Sequence, residues 1–136
     1  MTAPTARDLI RRGTRQHGHR NAFHFGGQDV SVTVADRRSN RLAHALAAKG
    51  AGHHARVAIL LDNGLHSIPL DFACVKGGIN RVPLNGRLSE DEHARMLENT
   101  GCEILVHGAE HAARAEALAA RRAGLTLLSV DDLLAM

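Results

Sequence analysis

Apolar residues change their spacing several times along this chain, and each change marks an element. Ala6 to His19 is polar and basic apart from Leu9-Ile10, which predicts a short helix packing one apolar side. Asn21 to Phe25 and Gln28 to Val32 alternate apolar and polar residues on either side of Gly26-Gly27, the pattern of a β-hairpin with a two-residue turn. Thr33 stands where it would cap a following helix, with Asp36 suiting the positive helix end. Ala35, Leu42, Ala43, Leu46 and Ala47 share one face of that helix, and Gly50 and Gly52 stop it.

Val57 to Leu61 is an apolar run without alternation, which fits a strand covered on both faces. Asp62-Asn63-Gly64 turns the chain. Leu65, Ile68, Phe72 and Val75 then recur at steps of three and four and predict a second amphipathic helix. Pro69 restricts that helix to a start close by, and Gly77-Gly78 ends it. Ile79 to Leu84 reads as a short strand closed by Pro83. Ser89 with Glu92 forms a capping box that opens a third helix, Glu90 to about Asn99, with Met96 and Leu97 inward and Gly101 beyond its end. Ile104 to Val106 is a strand, Ala112 to Ala123 an Ala- and Arg-rich helix, and Leu125 to Val130 a last strand, with a helix starting at Asp131-Asp132. Strand and helix therefore alternate from Arg56 onward. The expected fold class is α/β: a mostly parallel, Rossmann-like layered sheet with flanking helices and right-handed crossovers, preceded by a short β-hairpin, in one unit over 1–136.

Composition narrows the picture. No apolar run approaches the roughly 18 residues a membrane span needs, and Met1 to Ala6 shows no leader pattern, so a cytoplasmic protein is expected. Cys74 and Cys102 read as two buried thiols, not a disulfide. The net charge of +3 is carried almost wholly by arginines, which are spread along the chain. With three Phe and no Trp or Tyr to stack on bases, they read as solvated helix faces and no nucleic-acid partner is expected.

No residue in the sequence is read as catalytic, cofactor-binding or metal-ligating. Gly26-Gly27, Gly50-Ala51-Gly52 and Gly77-Gly78 form neither GxGxxG nor a P-loop. His17 with His19 and His53 with His54 sit in loops. His107 and His111 are four apart, but Gly108 stands between them at a strand end, and three or four convergent ligands are needed. Ser39, Ser67, Ser89 and Ser129 lack a nucleophile-elbow setting, and Cys74 lies mid-helix, unlike an activated thiolate. Glu90-Asp91-Glu92 is explained as helix-start acids.

One stretch says more. Ser31-Val32-Thr33-Val34-Ala35-Asp36 through Ser39-Asn40-Arg41-Leu42-Ala43-His44-Ala45-Leu46 resembles the "TYxEL…RxNRLAxAL" opening of adenylate-forming enzymes, the acyl-CoA synthetases and their relatives. Arg56 to Asn63 resembles that family's "DRVAILLPN" strand, Val75 to Asn85 its "LKAGAxxVPLN" segment, Arg87 to His93 its "RLSxDEL", and Gly101 to Val106 its "GAKVLV". The blocks keep the family's order and spacing over about Ala22 to Val106 and match the acyl-CoA synthetase branch better than peptide-synthetase adenylation domains. Departures are Val32 for Tyr, Val34 for Glu, Ala35 for Leu, and Gly86 for a common Pro.

The resemblance implies adenylation of a carboxylic acid by ATP with Mg²⁺, then transfer of the acyl group to a thiol, usually coenzyme A. It also implies a Ser/Thr/Gly-rich phosphate loop with a Lys, an aromatic-Gly-x-Thr-Glu segment, an Asp for the ribose and a Lys in a mobile C-terminal domain. None of these is matched here, so ATP, Mg²⁺ and coenzyme A are expected of the full-length family and not of this chain. The matched residues are framework. The leading expectation is the first quarter of such a ligase, incompetent alone, whose partner is the remainder of the ligase or another copy of itself. A stand-alone non-catalytic binding module is the alternative, and an independent enzyme with an unrecognised site ranks last.

Overall fold

Helix α1, Ala6–His17, opens on Thr5, whose hydroxyl accepts the Asp8 N–H at 3.2 Å while the Asp8 carboxylate accepts the Thr5 N–H at 2.9 Å. The computed structural model describes residues 4–136, so half of the Met1–Ala6 stretch read for a leader lies outside the described residues. Nothing on α1 is fully buried. Leu9 and Ile10 are adjacent and so point about 100° apart on a helix. Ile10 is half-buried and Leu9 is left in solvent, contrary to the expectation that the pair packs together.

Strands β1, Asn21–Phe25, and β2, Gln28–Ser31, form the expected hairpin. Gly26 and Gly27 hold φ of 60° and 78°, the left-handed pair that a tight hairpin turn requires. The chain passes from β2 straight into α2, Val32–Ala48. The cap is therefore Ser31, not Thr33: Ser31 has the extended backbone a cap needs, and its hydroxyl accepts the Val34 N–H at 3.1 Å. Thr33 is already inside the first turn and donates instead to the Gly18 carbonyl at 2.9 Å, latching the end of α1.

The main sheet has the order β4-β3-β5-β6, with every neighbouring pair parallel. Its strands are β3, Arg56–Leu60; β4, Asn80–Pro83; β5, Ile104–His107; and β6, Thr126–Ser129. The connecting helices are α3, Ser67–Gly77; α4, Glu90–Thr100; α5, Ala112–Arg121; and, after β6, α6, Val130–Ala135. Alternation on β3 explains its unbroken apolar run. Val57 and Ile59 join Leu42, Leu46, Leu70, Ala73 and Leu133 under α2, α3 and α6, whereas Ala58 and Leu60 join Leu97, Leu105, Ala115 and Leu118 under α4 and α5. Each fully buried Leu contributes roughly 1.5–3 kcal/mol of transfer free energy, so two such clusters hold the sheet from both sides.

The expected inward face of α3 is corrected. Pro69, Leu70, Ala73 and Cys74 point to the core, Ile68 and Phe72 are half-buried, and Val75 is exposed. This helix is apolar on nearly every side, so spacing alone selects no face. In this rotation Lys76 reaches into α2, and Asp71 pairs at the surface with Arg81 of β4. On α4, Leu97 is buried and Met96 half-buried as expected, but fully buried His93 joins them. Most arginines are exposed, as expected, and some of them also bond to backbone carbonyls across the fold. Arg56 donates to the Thr100 carbonyl, Arg122 to the Cys102 carbonyl and Arg41 to the Leu134 carbonyl. Among the described residues no helix is long and apolar enough to cross a membrane.

Candidate functional site

The order of the sheet creates one place unlike the rest. The chain leaves β3 for its neighbour β4, then returns past β3 to β5 and continues to β6. A fixed crossover hand puts the helices of the two directions on opposite faces, which is where α3 on one side and α4 and α5 on the other are found. Direction reverses between β3 and β5, and open α/β sheets hold ligands outside the carboxyl ends of strands at such a point.

An open cleft of about 580 Å³ lies there, lined by Leu61, Asp62 and Asn63 after β3, Leu84 to Arg87 after β4, and His111 after β5. Parallel pairing of Leu60 with His107 brings the two following loops side by side. Glu110 Oε1 accepts the Asp62 backbone N–H at 2.9 Å, and His111 Nε2 lies 2.8 Å from Asp62 Oδ1. The third wall is held from beneath. His93 Nδ1 accepts from Arg114, at 3.0 Å, so its Nε2 carries the hydrogen donated to the Asn85 carbonyl at 2.7 Å. Arg114 also donates to the Leu88 carbonyl, and the Asn85 side chain accepts the Arg87 N–H. A buried imidazole and a guanidinium thus clamp the Asn85–Leu88 loop to α4 and α5.

Other residues weighed in the sequence fall elsewhere. Cys74 and Cys102 are free and buried, and burial pushes the Cys74 thiol up to about 11, away from nucleophile chemistry. Ser89, Ser129 and Ser31 cap helices, and Ser67 closes the turn before α3 by accepting the Gly64 N–H at 2.7 Å. Ser39 is buried against Lys76. Glu90 and Asp91 pair with Arg121, while Glu92 closes the capping box, its carboxyl held below the usual range by the Ser89 N–H and hydroxyl. His53 and His54 face each other on an exposed loop. His107 is buried on Gly108 and does not meet His111. The group that does converge, Asp62 with Glu110 and His111, was missed because its members are 48 or 49 positions apart.

No phosphate-binding loop of the glycine-rich kind opens into this cleft among the described residues. Its lining carries one carboxylate, Asp62, one guanidinium, Arg87, and the His111 imidazole, and no glycine-rich loop precedes α3, whose first turn has no side-chain cap. No step through ATP or Mg²⁺ is assigned to these residues.

Residues 10–135 match the model of the family described as AMP-binding enzyme, and the chain belongs to that family. It is 38% identical over 111 residues to a feruloyl-CoA synthase of Amycolatopsis sp, covering 82% of this chain and 23% of the relative. It is 31% identical over 112 residues to an indoleacetate–CoA ligase of Aromatoleum aromaticum, covering 82% of this chain and 22% of that protein. Unliganded O-succinylbenzoate coenzyme A synthetase from Bacillus subtilis superimposes with a TM-score of 0.82 at 25% identity, over 93% of this chain and 26% of that one. The chain therefore spans about a quarter of the length of the relatives it matches.

Proposed function

We propose that the chain supplies the N-terminal scaffold of an ATP-dependent acyl-CoA synthetase, one that adenylates a carboxylic acid and passes the acyl group to coenzyme A, and that it does not run this reaction alone. The observation that carries the reading is the match of 82% of this chain to 23% of a ligase. The lack of a glycine-rich phosphate loop at the cleft among the described residues supports the second half of it, because phosphoryl-type chemistry is mostly positioning and charge stabilisation. The partner is the remainder of the ligase, and the site of action is the cytoplasm.

ATP–pyrophosphate exchange with a panel of aryl and aliphatic carboxylic acids tests this. The chain alone gives background, and exchange returns when the remaining segment of a feruloyl-CoA synthase is supplied as a separate polypeptide. Exchange by the chain alone would refute the claim of incompetence. A free-standing binding module is the second reading, favoured by the covering of both sheet faces and by Arg81 and Pro83 on the edge strand β4. A chain that never complements yet stays folded would select it.

A further inference from the structure

We propose that Asp62, Glu110 and His111 form a binding site for a first-row divalent transition ion of the Zn²⁺ or Co²⁺ class. One carboxylate oxygen from each acid and one imidazole nitrogen lie within 4.8 Å of one another. They come from two separate elements, the loop after β3 and the short turn Ala109–His111 after β5. Ligands of a tetrahedral zinc stand about 3.4 Å apart when each bond is about 2.1 Å. The Asp62–His111 pair at 2.8 Å is close to that spacing, and the Glu110 oxygen lies within 4.8 Å of both.

Three features say the site is prepared. The His111 side chain is only 17% exposed, whereas that of Asp62 is 66% exposed, so a half-sheltered imidazole faces a solvent-accessible carboxylate and leaves room for water ligands. Glu110 is oriented by the Asp62 backbone N–H, the kind of supporting bond that holds a ligating carboxylate. The third loop leaves the space free: a Cβ on Gly86 would come within 3.1 Å of the His111 ring and 3.3 Å of Asp62 Oδ1. Two carboxylates and an imidazole are a mixed oxygen and nitrogen set, which selects these ions over Mg²⁺ and Ca²⁺.

The test is isothermal titration calorimetry of the whole chain with ZnCl₂ alone, and with CoCl₂ followed by visible absorption. One equivalent is expected to bind, with a Kd on the order of micromolar. Asp62→Asn and His111→Asn each weaken binding by about tenfold or more, and each abolishes the cobalt bands. A His53→Asn/His54→Asn variant binds as the parent does, which separates this site from the other histidines. Circular dichroism establishes that each variant is folded, and amide spectra of the parent place the zinc-induced shifts at Asp62 and His111. No heat up to about 1 mM zinc, or parental affinity in Asp62→Asn and His111→Asn, overturns the proposal. Because no nucleotide, acid or thiol enters the experiment, its outcome is independent of the ligase reading.

Discussion

Lys76 is the residue whose removal should hurt this fold most for its size. Its side chain is 9% exposed, and its ammonium donates to Asp36 Oδ1 at 2.5 Å, Ser39 Oγ at 2.7 Å and Asn40 Oδ1 at 2.8 Å, joining the end of α3 to the start of α2. Lys76→Met keeps the apolar stem and deletes the charge. Removing one partner of a fully buried pair costs about 3–5 kcal/mol. Asp36 retains 20% exposure and recovers part of its hydration, which brings the expectation down to about 2–3 kcal/mol. With a urea slope of about 2 kcal/mol/M, the unfolding midpoint falls by about 1–1.5 M, followed by far-UV circular dichroism. Arg81→Ala, which breaks the surface pair with Asp71 on the sheet edge, changes it by less than about 0.5 M. If Lys76→Met unfolds within about 0.2 M of the parent, or if both substitutions cost the same, Lys76 does not hold α3 to α2 as described.

The capping box of α4 gives a pH prediction. The Glu92 carboxyl is held below its ordinary value of 4.5, so its contribution is full above about that pH and is lost as the pH falls through the lower folded value. Glu92→Gln therefore flattens the loss of stability below pH 4.5 in urea midpoints taken across the acid range, and leaves the slope above it unchanged. Ser89→Ala removes the hydroxyl cap and costs about 1 kcal/mol at neutral pH in the same assay. With the Cys74 thiol raised to about 11 and both cysteines buried, an aromatic disulfide reagent at about pH 8 releases no thiolate from the native chain and two equivalents per chain in urea.

Local chemistry was legible in the sequence where it is self-contained. The Gly26-Gly27 turn, the Ser89–Glu92 box and the unbroken apolar run of β3 each depend on neighbours within a few residues, and each formed as expected. Where long-range contacts choose, the sequence was mute. The inward face of α3 goes with Lys76 meeting Asp36, Ser39 and Asn40 of α2, a contact that the spacing of a mostly apolar helix does not reveal. The Asp62–Glu110–His111 group depends on β3 pairing with β5 after β4 has gone to the edge, so it needed the strand order. His93 left a trace, standing four residues before Leu97 on the same face, but a polar residue there reads as exposed until Arg114 and the Asn85 carbonyl are placed around it.

The central claim is that these residues are framework and hold no grip for a triphosphate. Titrating the ¹⁵N-labelled chain with Mg²⁺–ATP, to about 5 mM and with amide shifts as the readout, measures this directly. The account predicts no saturable movement of any backbone amide, and in particular none at Asp62 to Gly64, Asn85 to Leu88 or Gly108 to His111. A saturating shift centred on those loops, with a Kd below about 1 mM, would contradict it.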